Sequence, residues 1–411
     1  MKAARHEGSL GMGDWLIFGG AVALALFGVA MIYSAGELDV PSSVTGIWQK
    51  QAVWLVISLV VFFAVLRVDV RWLEWVAPLA YVLGIFGLVV VLVAGAGDGP
   101  RSWIRFGSVG FQPSEFAKIA TILMLARLLS GRKSSPQHLW DTLPYVGVVL
   151  LPMALIVLQP DLGTASVFMA LLVAALFWAG LPASQMVLFL SPFLSLAFAF
   201  STPLWGVWFL LLVGFLYWTR AFLGESLAII AANLAMGVLV RPAWGSLATY
   251  QRQRILAFLQ PEADPQGAGW HLMQSQVAIG SGGWLGKGFT LGTQKRLAFL
   301  PEQHTDFIFA VVGEEIGFVG ILLVLIVLSV VLWRVVRIAE RAPDPFASMV
   351  VFGIFAFWFA HAVANIGMTV GLLPITGLPL TFMSYGGSFL LVSFISLAIV
   401  QRIASELKRG A

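Results

Sequence analysis

Cysteine is absent from this 411-residue chain. That excludes a disulfide framework and any thiolate metal site, and it leaves the redox compartment unmarked. Charge is scarce too: Asp, Glu, Lys and Arg make up 11% of the residues, against about 25% in a soluble domain. With 59% hydrophobic residues and a mean hydropathy of +0.92, any water-soluble domain must be small. Neither an internal repeat nor a low-complexity tract nor a second domain breaks the chain. The formal net charge of +4 makes no case for nucleic acid, because the basic residues sit at helix ends rather than on one stripe. Anionic lipid head groups match them better.

What fills the chain is long apolar runs. A bilayer core of about 30 Å takes roughly 20 apolar residues per helix, and such runs cover 13–34, 50–68, 71–94, 113–130, 142–159, 162–180, 184–201, 203–220, 223–242, 306–334, 346–370 and 378–403. The expectation is an all-α polytopic membrane protein of about twelve spans. The first run lacks a small-x-small cleavage site and is too long for a signal-peptide core, so it is expected to stay as a span. An even count with a cytoplasmic N-terminus puts Lys2, Arg5, Arg67, Arg71, Arg127, Arg132, Lys133, Arg220, Arg334, Arg337, Arg341, Arg402, Lys408 and Arg409 inside, fourteen of the 24 basic residues, as the positive-inside bias requires. Among the rest, Arg101 and Arg105 fall in the second outer loop, Lys118 inside a span, and Arg252, Arg254, Lys287, Lys295 and Arg296 in a long outer loop, 243–305. Basic residues on the outer side suggest an anionic ligand there. Loops of that length are functional or disordered, and the mixture of aromatic and apolar residues argues for structure. "YQRQRILAFL" (250–259) suits a short interfacial helix with its arginines toward head groups.

Polar residues in the apolar runs each carry two readings. Asp264, before Pro265 in "QPEADPQGAG", is either a turn or a site. "AIGSGGWLGKG" fails the G-x-x-x-x-G-K-[ST] pattern, so ATP binding is unsupported, although a glycine-rich turn with Lys287 can cradle phosphate. Glu115 and Lys118 share a helix face inside a span, where they either serve function or neutralise each other. Asp161 after Pro160 is expected to cap a helix, and Thr305 or Asp306 to cap the tenth span. One of Glu314 and Glu315 is expected to face inward. His361 and Asn365, four apart, read as polar packing rather than metal ligands, since no third ligand is visible. Irregular backbone at Ser384 to Ser388 must line a cavity or be buried in protein.

"GFQPSEFAKIA", "QPDLGT", "YQRQRI", "FLQPEADPQGAGWHLMQSQVAIGSGG", "GKGFTLGTQKRLAFLPEQHTDFIFAVVGEE" and "PITGLPLTFMSYGGS", in this order over almost the whole chain, strongly resemble the SEDS family of shape, elongation, division and sporulation proteins. Within it, "GSGGWLGKG" with "GTQ" is more similar to the rod-elongation branch than to the septal one. The resemblance implies a glycosyltransferase that polymerises lipid II into peptidoglycan on the outer face of the bacterial cytoplasmic membrane. It implies a class B penicillin-binding transpeptidase as partner, alongside other membrane proteins of the elongation complex. It makes Asp264 the catalytic position. The reaction would invert, with undecaprenyl pyrophosphate leaving. Arg101, Arg105, Lys118, Arg252 and Lys287 are candidates to hold pyrophosphate or orient lipid, and Glu115, Asp161, Gln274 and Ser384 complete the candidate substrate-binding set. A divalent cation (Mg or Mn) would serve the same electrostatic purpose, yet no ligand cluster is legible. The family pattern has ten spans, whereas 184–242 supplies three where one is expected, so a helix pair is inserted. A lipid II flippase and a non-catalytic scaffold for a transpeptidase are the alternatives; the first would be indifferent to the acidity of Asp264, the second to loss of all buried charges.

The topology is open to a direct check: a reporter fused near residue 270 should read as external, and a cytoplasmic signal there would overturn the orientation and with it the side on which substrate is met.

Overall fold

The computed structural model describes residues 12–38, 44–95, 102–106, 109–220, 222–260, 267–297, 299–300 and 302–410. Every expected apolar run holds a helix: α1 (Trp15–Gly36), α2 (Ile47–Val65), α3 (Val70–Ala94), α4 (Pro113–Ser130), α5 (Leu143–Val157), α6 (Leu162–Trp178), α7 (Ala183–Phe198), α8 (Thr202–Thr219), α9 (Leu223–Ser246), α13 (Ile308–Arg341), α14 (Pro345–Thr369) and α15 (Gly387–Gly410). Between α9 and α13 lie α10 (Thr249–Leu259), α11 (Ala268–Gly282) and the short α12 (Thr293–Arg296). Among the described residues nine helices are long and apolar enough to cross a membrane by length and composition. The other three apolar runs fall short, α4 because it carries Glu115, Lys118 and Arg127, and α6 and α7 because they have 17 and 16 residues, whereas α5 is continuous with the short helical turn Leu139–Thr142 before it and the two together span 19. One element lies outside the all-α expectation, a two-stranded antiparallel hairpin of β1 (Ile104–Phe106) and β2 (Val109–Phe111), with Arg105 opposite Gly110.

Aspartates begin several helices. Asp14, Asp69, Asp161 and Asp344 each accept backbone N–H bonds from the first turn of α1, α3, α6 and α14, meeting donors that hydrocarbon cannot satisfy. The cap expected from Thr305 or Asp306 is not observed: α13 starts later, with Phe307 at its N-cap and no side-chain bond.

Of the nine helices long and apolar enough to cross a membrane, α14 and α15 are the most enclosed. The largest core gathers on them, with Phe357, Trp358, Phe382 and Phe394 fully buried. Against hydrocarbon such burial gains little by leaving solvent, so close packing holds the helices together. At the periphery, α8 and α9 make their chief contacts with α7 and each other, around a small apolar cluster of Leu188, Leu212, Leu216 and Ile229. Asn233 pins this unit by donating to Ser191 Oγ (2.9 Å) and to the Ile229 carbonyl (2.9 Å).

α13 is broken at Gly317, whose φ of 71° interrupts the helix. The glycine-rich turn after α11 repairs the break. Lys287 N and Gly288 N donate to the carbonyls of Glu314 and Glu315 (both 2.9 Å), while Phe318 N and Val319 N donate to Gly283 O (2.9 Å) and Trp284 O (3.1 Å). In this structure those N–H groups are engaged with protein, so the phosphate-cradle reading of "GSGGWLGKG" finds no open donors at Lys287 and Gly288. Both glutamates are buried, not one. Neighbouring helical residues point about 100° apart, but the turn covers the side that would face outward. The turn and α12 supply the counter-charges: Lys287 Nζ of the turn meets Glu314 Oε1 at 2.7 Å and Lys295 Nζ of α12 meets Glu315 Oε1 at 2.6 Å, with Ser34 of α1 donating to Glu315 (2.7 Å).

Gly286 has φ +77°, and a Cβ there would strike the Glu315 carbonyl. Gly286→Ala should therefore destabilise the fold by about 2 kcal/mol or more, whereas Gly280→Ala on α11, where a Cβ meets nothing, should be neutral or slightly stabilising. Thermal unfolding of the two variants in one detergent checks this; equal melting temperatures would contradict the reading of the 283–288 turn as a splint for α13.

Candidate active site

Helix ends and breaks from several distant parts of the chain contribute to one cavity of about 600 Å³. The segment before β1 brings Ser102 and Trp103, the start of α4 brings Gln112 and Glu115, and the α5–α6 break brings Pro160 to Thr164. α10 adds Tyr250, Gln251, Arg254 and Ile255; the turn before α13 adds Glu302, Thr305 and Asp306; the irregular stretch 374–379 and Tyr385 close the wall. This matches the requirement that non-helical backbone at such depth line a cavity. The breaks are tied to one another. Tyr250 OH and Gln251 Nε2 both donate to Pro160 O, the latter at 3.0 Å. Asn365 of α14 donates to Asp306 O (2.9 Å) and Leu378 O (2.8 Å), the polar packing expected of it.

The charged lining is mostly acidic: Glu115, Asp161, Glu302 and Asp306, with Arg254 as the cation among the described lining residues. Burial, helped by the charge of Glu302 and opposed by Arg254, pushes the Asp306 carboxyl up to about 6. Beside it, burial pushes His304 down. Glu115 on the wall accepts at 2.7 Å from Lys118 Nζ behind it, and Lys118 also reaches His361 Nε2 at 3.0 Å. All three side chains are buried.

The candidate residues distribute unevenly. Glu115 and Asp161 line the cavity, and Asp161 caps α6 as well, accepting from Thr164 N at 3.0 Å. Lys118 sits one layer behind. Arg252 is turned away, donating to Gly245 O, and it is Arg254 that lines the cavity instead of facing head groups; two residues along a helix point about 200° apart, so one arginine faces in and the other out. Lys287 is held by Glu314 and Thr293 (2.7 Å each) outside the lining. Gln274 is half-buried on α11, also outside it. Ser384 is buried in the wall's support, accepting from Leu380 N (2.8 Å) and donating to Thr305 O (2.6 Å). Arg105 lies on β1. Arg101 and Asp264 lie outside the described residues, Asp264 falling between α10 and α11. Asp306, expected as a cap, lines the cavity instead. Its signal was the "HTDF" motif itself, a carboxylate where a span begins. Among the described residues, no three His, Asp or Glu side chains are grouped to hold a metal ion.

Asp306 generates a pH dependence with a definite sign. Its folded pKa lies above the ordinary 3.8, so the folded protein holds the proton more tightly and stability falls as pH rises from about 4 to about 6, by at most about 3 kcal/mol. Asp306→Asn should flatten that slope in melting temperatures taken between pH 4.5 and 7; an unchanged slope would contradict the assignment.

The family profile described as cell cycle protein (FtsW, RodA, SpoVE) matches residues 14–409. The peptidoglycan glycosyltransferase MrdB of Escherichia coli (strain K12) is 37% identical over 388 residues, covering 94% of this chain and 92% of that protein. The peptidoglycan glycosyltransferase RodA of Treponema pallidum (strain Nichols) is 35% identical over 428 residues, covering 95% and 97%. A chain of a peptidoglycan synthase complex, solved for the structural coordination of polymerization and crosslinking, superimposes with a TM-score of 0.72 at 28% identity over 96% of this chain and 98% of its own. With a motif order, a helix array and relatives that match nearly end to end, this multi-pass membrane chain belongs to the FtsW/RodA/SpoVE family of cell cycle proteins, the SEDS family.

Proposed function

We propose that this chain is a peptidoglycan glycosyltransferase that polymerises lipid II on the outer face of the bacterial cytoplasmic membrane during cell-wall elongation. The observation that carries the reading is the cavity itself: residues from "GFQPSEFAKIA", "QPDLGT", "YQRQRI", "PEQHTDF" and "PITGLP", far apart in sequence, meet on one wall. Relatives named peptidoglycan glycosyltransferase at 35% and 37% identity support it.

The reaction needs a base for the acceptor sugar hydroxyl and cationic or donor groups for the departing pyrophosphate. Asp264 takes the hydroxyl proton. The acceptor oxygen bonds to the donor's anomeric carbon as the bond from that carbon to the pyrophosphate oxygen breaks, and undecaprenyl pyrophosphate leaves with the electron pair. One displacement inverts α to β and needs no covalent enzyme intermediate. Arg254, the cation on the described wall, is placed to meet negative charge, in the role first given to Arg252. A divalent cation (Mg or Mn), for which the described residues offer no ligand cluster, would accompany the substrate's pyrophosphate and offset its charge. The outer loop 243–305 supplies α10 to the cavity. α7 to α9, within which the inserted pair of 184–242 falls, are appended at the rim, which their own small core supports. The partner is a class B penicillin-binding transpeptidase, in keeping with the similar chain from a synthase complex, and other elongation-complex proteins join in the membrane.

The test is polymerisation of purified lipid II by the protein with its transpeptidase. Asp264→Asn keeps shape and removes the base, so the rate should fall by about 10²–10⁴-fold while folding and partner binding survive. Wild-type polymerisation by Asp264→Asn would sink the assignment and favour the flippase or scaffold.

A further inference from the structure

Lys118 is wholly buried in α4 and absent from the cavity wall. An ammonium can only donate, so its 3.0 Å contact with His361 Nε2 makes that nitrogen an acceptor. The proton of a neutral ring then sits on Nδ1, which donates to Pro379 O at 3.0 Å. The tautomer is thus fixed from both sides: Pro379 belongs to the cavity wall, Lys118 to the layer behind it. The His361 ring is further held by stacking on Phe389 (4.6 Å, 29°) and by the edge of Phe357 (5.0 Å). The same two aromatic rings lie 5.9 and 5.3 Å from Lys118 Nζ. Lys118 accordingly spends its donors on Glu115 Oε1 (2.7 Å) and His361, with aromatic faces around the remainder. None of it points at a ligand.

Glu115 differs. Its Oε1 is taken by Lys118, but its Oε2 is buried without a hydrogen-bond partner, and the side chain lines the cavity. A buried carboxylate oxygen left unmet carries the full desolvation penalty of the group, a cost that a donor on a bound ligand would remove. The direction of that oxygen is set by where Lys118 holds its twin, and the position of Lys118 is set by His361.

We infer that His361 is a positioning residue: its Nε2 lone pair fixes the Lys118 ammonium against Glu115, and so aims Glu115 Oε2 at a hydroxyl or amide N–H of the sugar bound in the cavity. This rests on the polymerase reading of the same cavity. His361 touches no substrate; it acts through two side chains. Losing its acceptor frees Lys118 to swing, and a displacement of about 1 Å in a group that orients substrate can cost about 10²-fold.

Three substitutions separate this role from packing. Gln places an acceptor near the Nε2 position and gives up the bond to Pro379. Asn places a donor near the Nδ1 position and gives up Lys118. Phe keeps the ring and gives up both polar contacts. With the full-length protein, its transpeptidase and purified lipid II, His361→Gln should stay within about threefold of wild type in kcat/KM. His361→Asn and His361→Phe should lose about 10–100-fold, with melting temperatures that do not follow that order. Equal activity of all three variants, or activity that follows melting temperature rather than the Lys118 acceptor, overturns the inference and leaves the polymerase reading intact. A wild-type protein that fails to polymerise lipid II overturns the polymerase reading first.

Discussion

Hydrocarbon offers no hydrogen bonds, so every backbone donor and acceptor within the membrane must be satisfied by protein. A chain that places an enzyme's polar cavity among such helices has to interrupt them, and each interruption must be compensated on the spot. Asp161 meets the first turn of α6, Gln251 meets the carbonyl left at Pro160, and Asn365 meets the carbonyls of Asp306 and Leu378. The glycine turn does the same for α13 with four backbone bonds. Site and scaffold are therefore made of the same residues.

Charge follows a parallel logic. An isolated charge at the membrane centre costs several kcal/mol, and here the buried lysines are matched one to one: Lys118 with Glu115, Lys295 with Glu315. Half-buried Lys287 takes Glu314 in the same way. Two of the three pairs hold the α13 splint and one stands behind the cavity. The basic residues expected on the outer side are thus divided, most of those described being bound to internal carboxylates or backbone, with Arg254 left on the wall.

The helices were legible because length and apolarity alone specify a membrane-spanning helix, and all twelve runs hold one. The caps at Asp161 and the polar packing of Asn365 were legible for the same reason: each follows from local spacing. What escaped depends on contacts between distant segments. Arg252 and Arg254 look equivalent in "YQRQRI", and only the packing of α10 decides which faces the cavity. Glu314 and Glu315 needed the turn 283–288 to be buried together. Asp306 read as a cap because nothing local reveals the wall opposite it. His361 read as packing because its partner Lys118 lies 243 positions away.

The irregular stretch 374–379 and Tyr385 have one consequence for biosynthesis. They leave the ribosome after both partners of the turn that braces α13, and α15 follows them. The splint, in contrast, joins 283–288 to 314–319, so it closes over a short separation as soon as α13 is inserted. A nascent chain thus acquires its braced frame well before its reaction chamber exists, and one cut short ahead of residue 374 lacks part of the chamber wall.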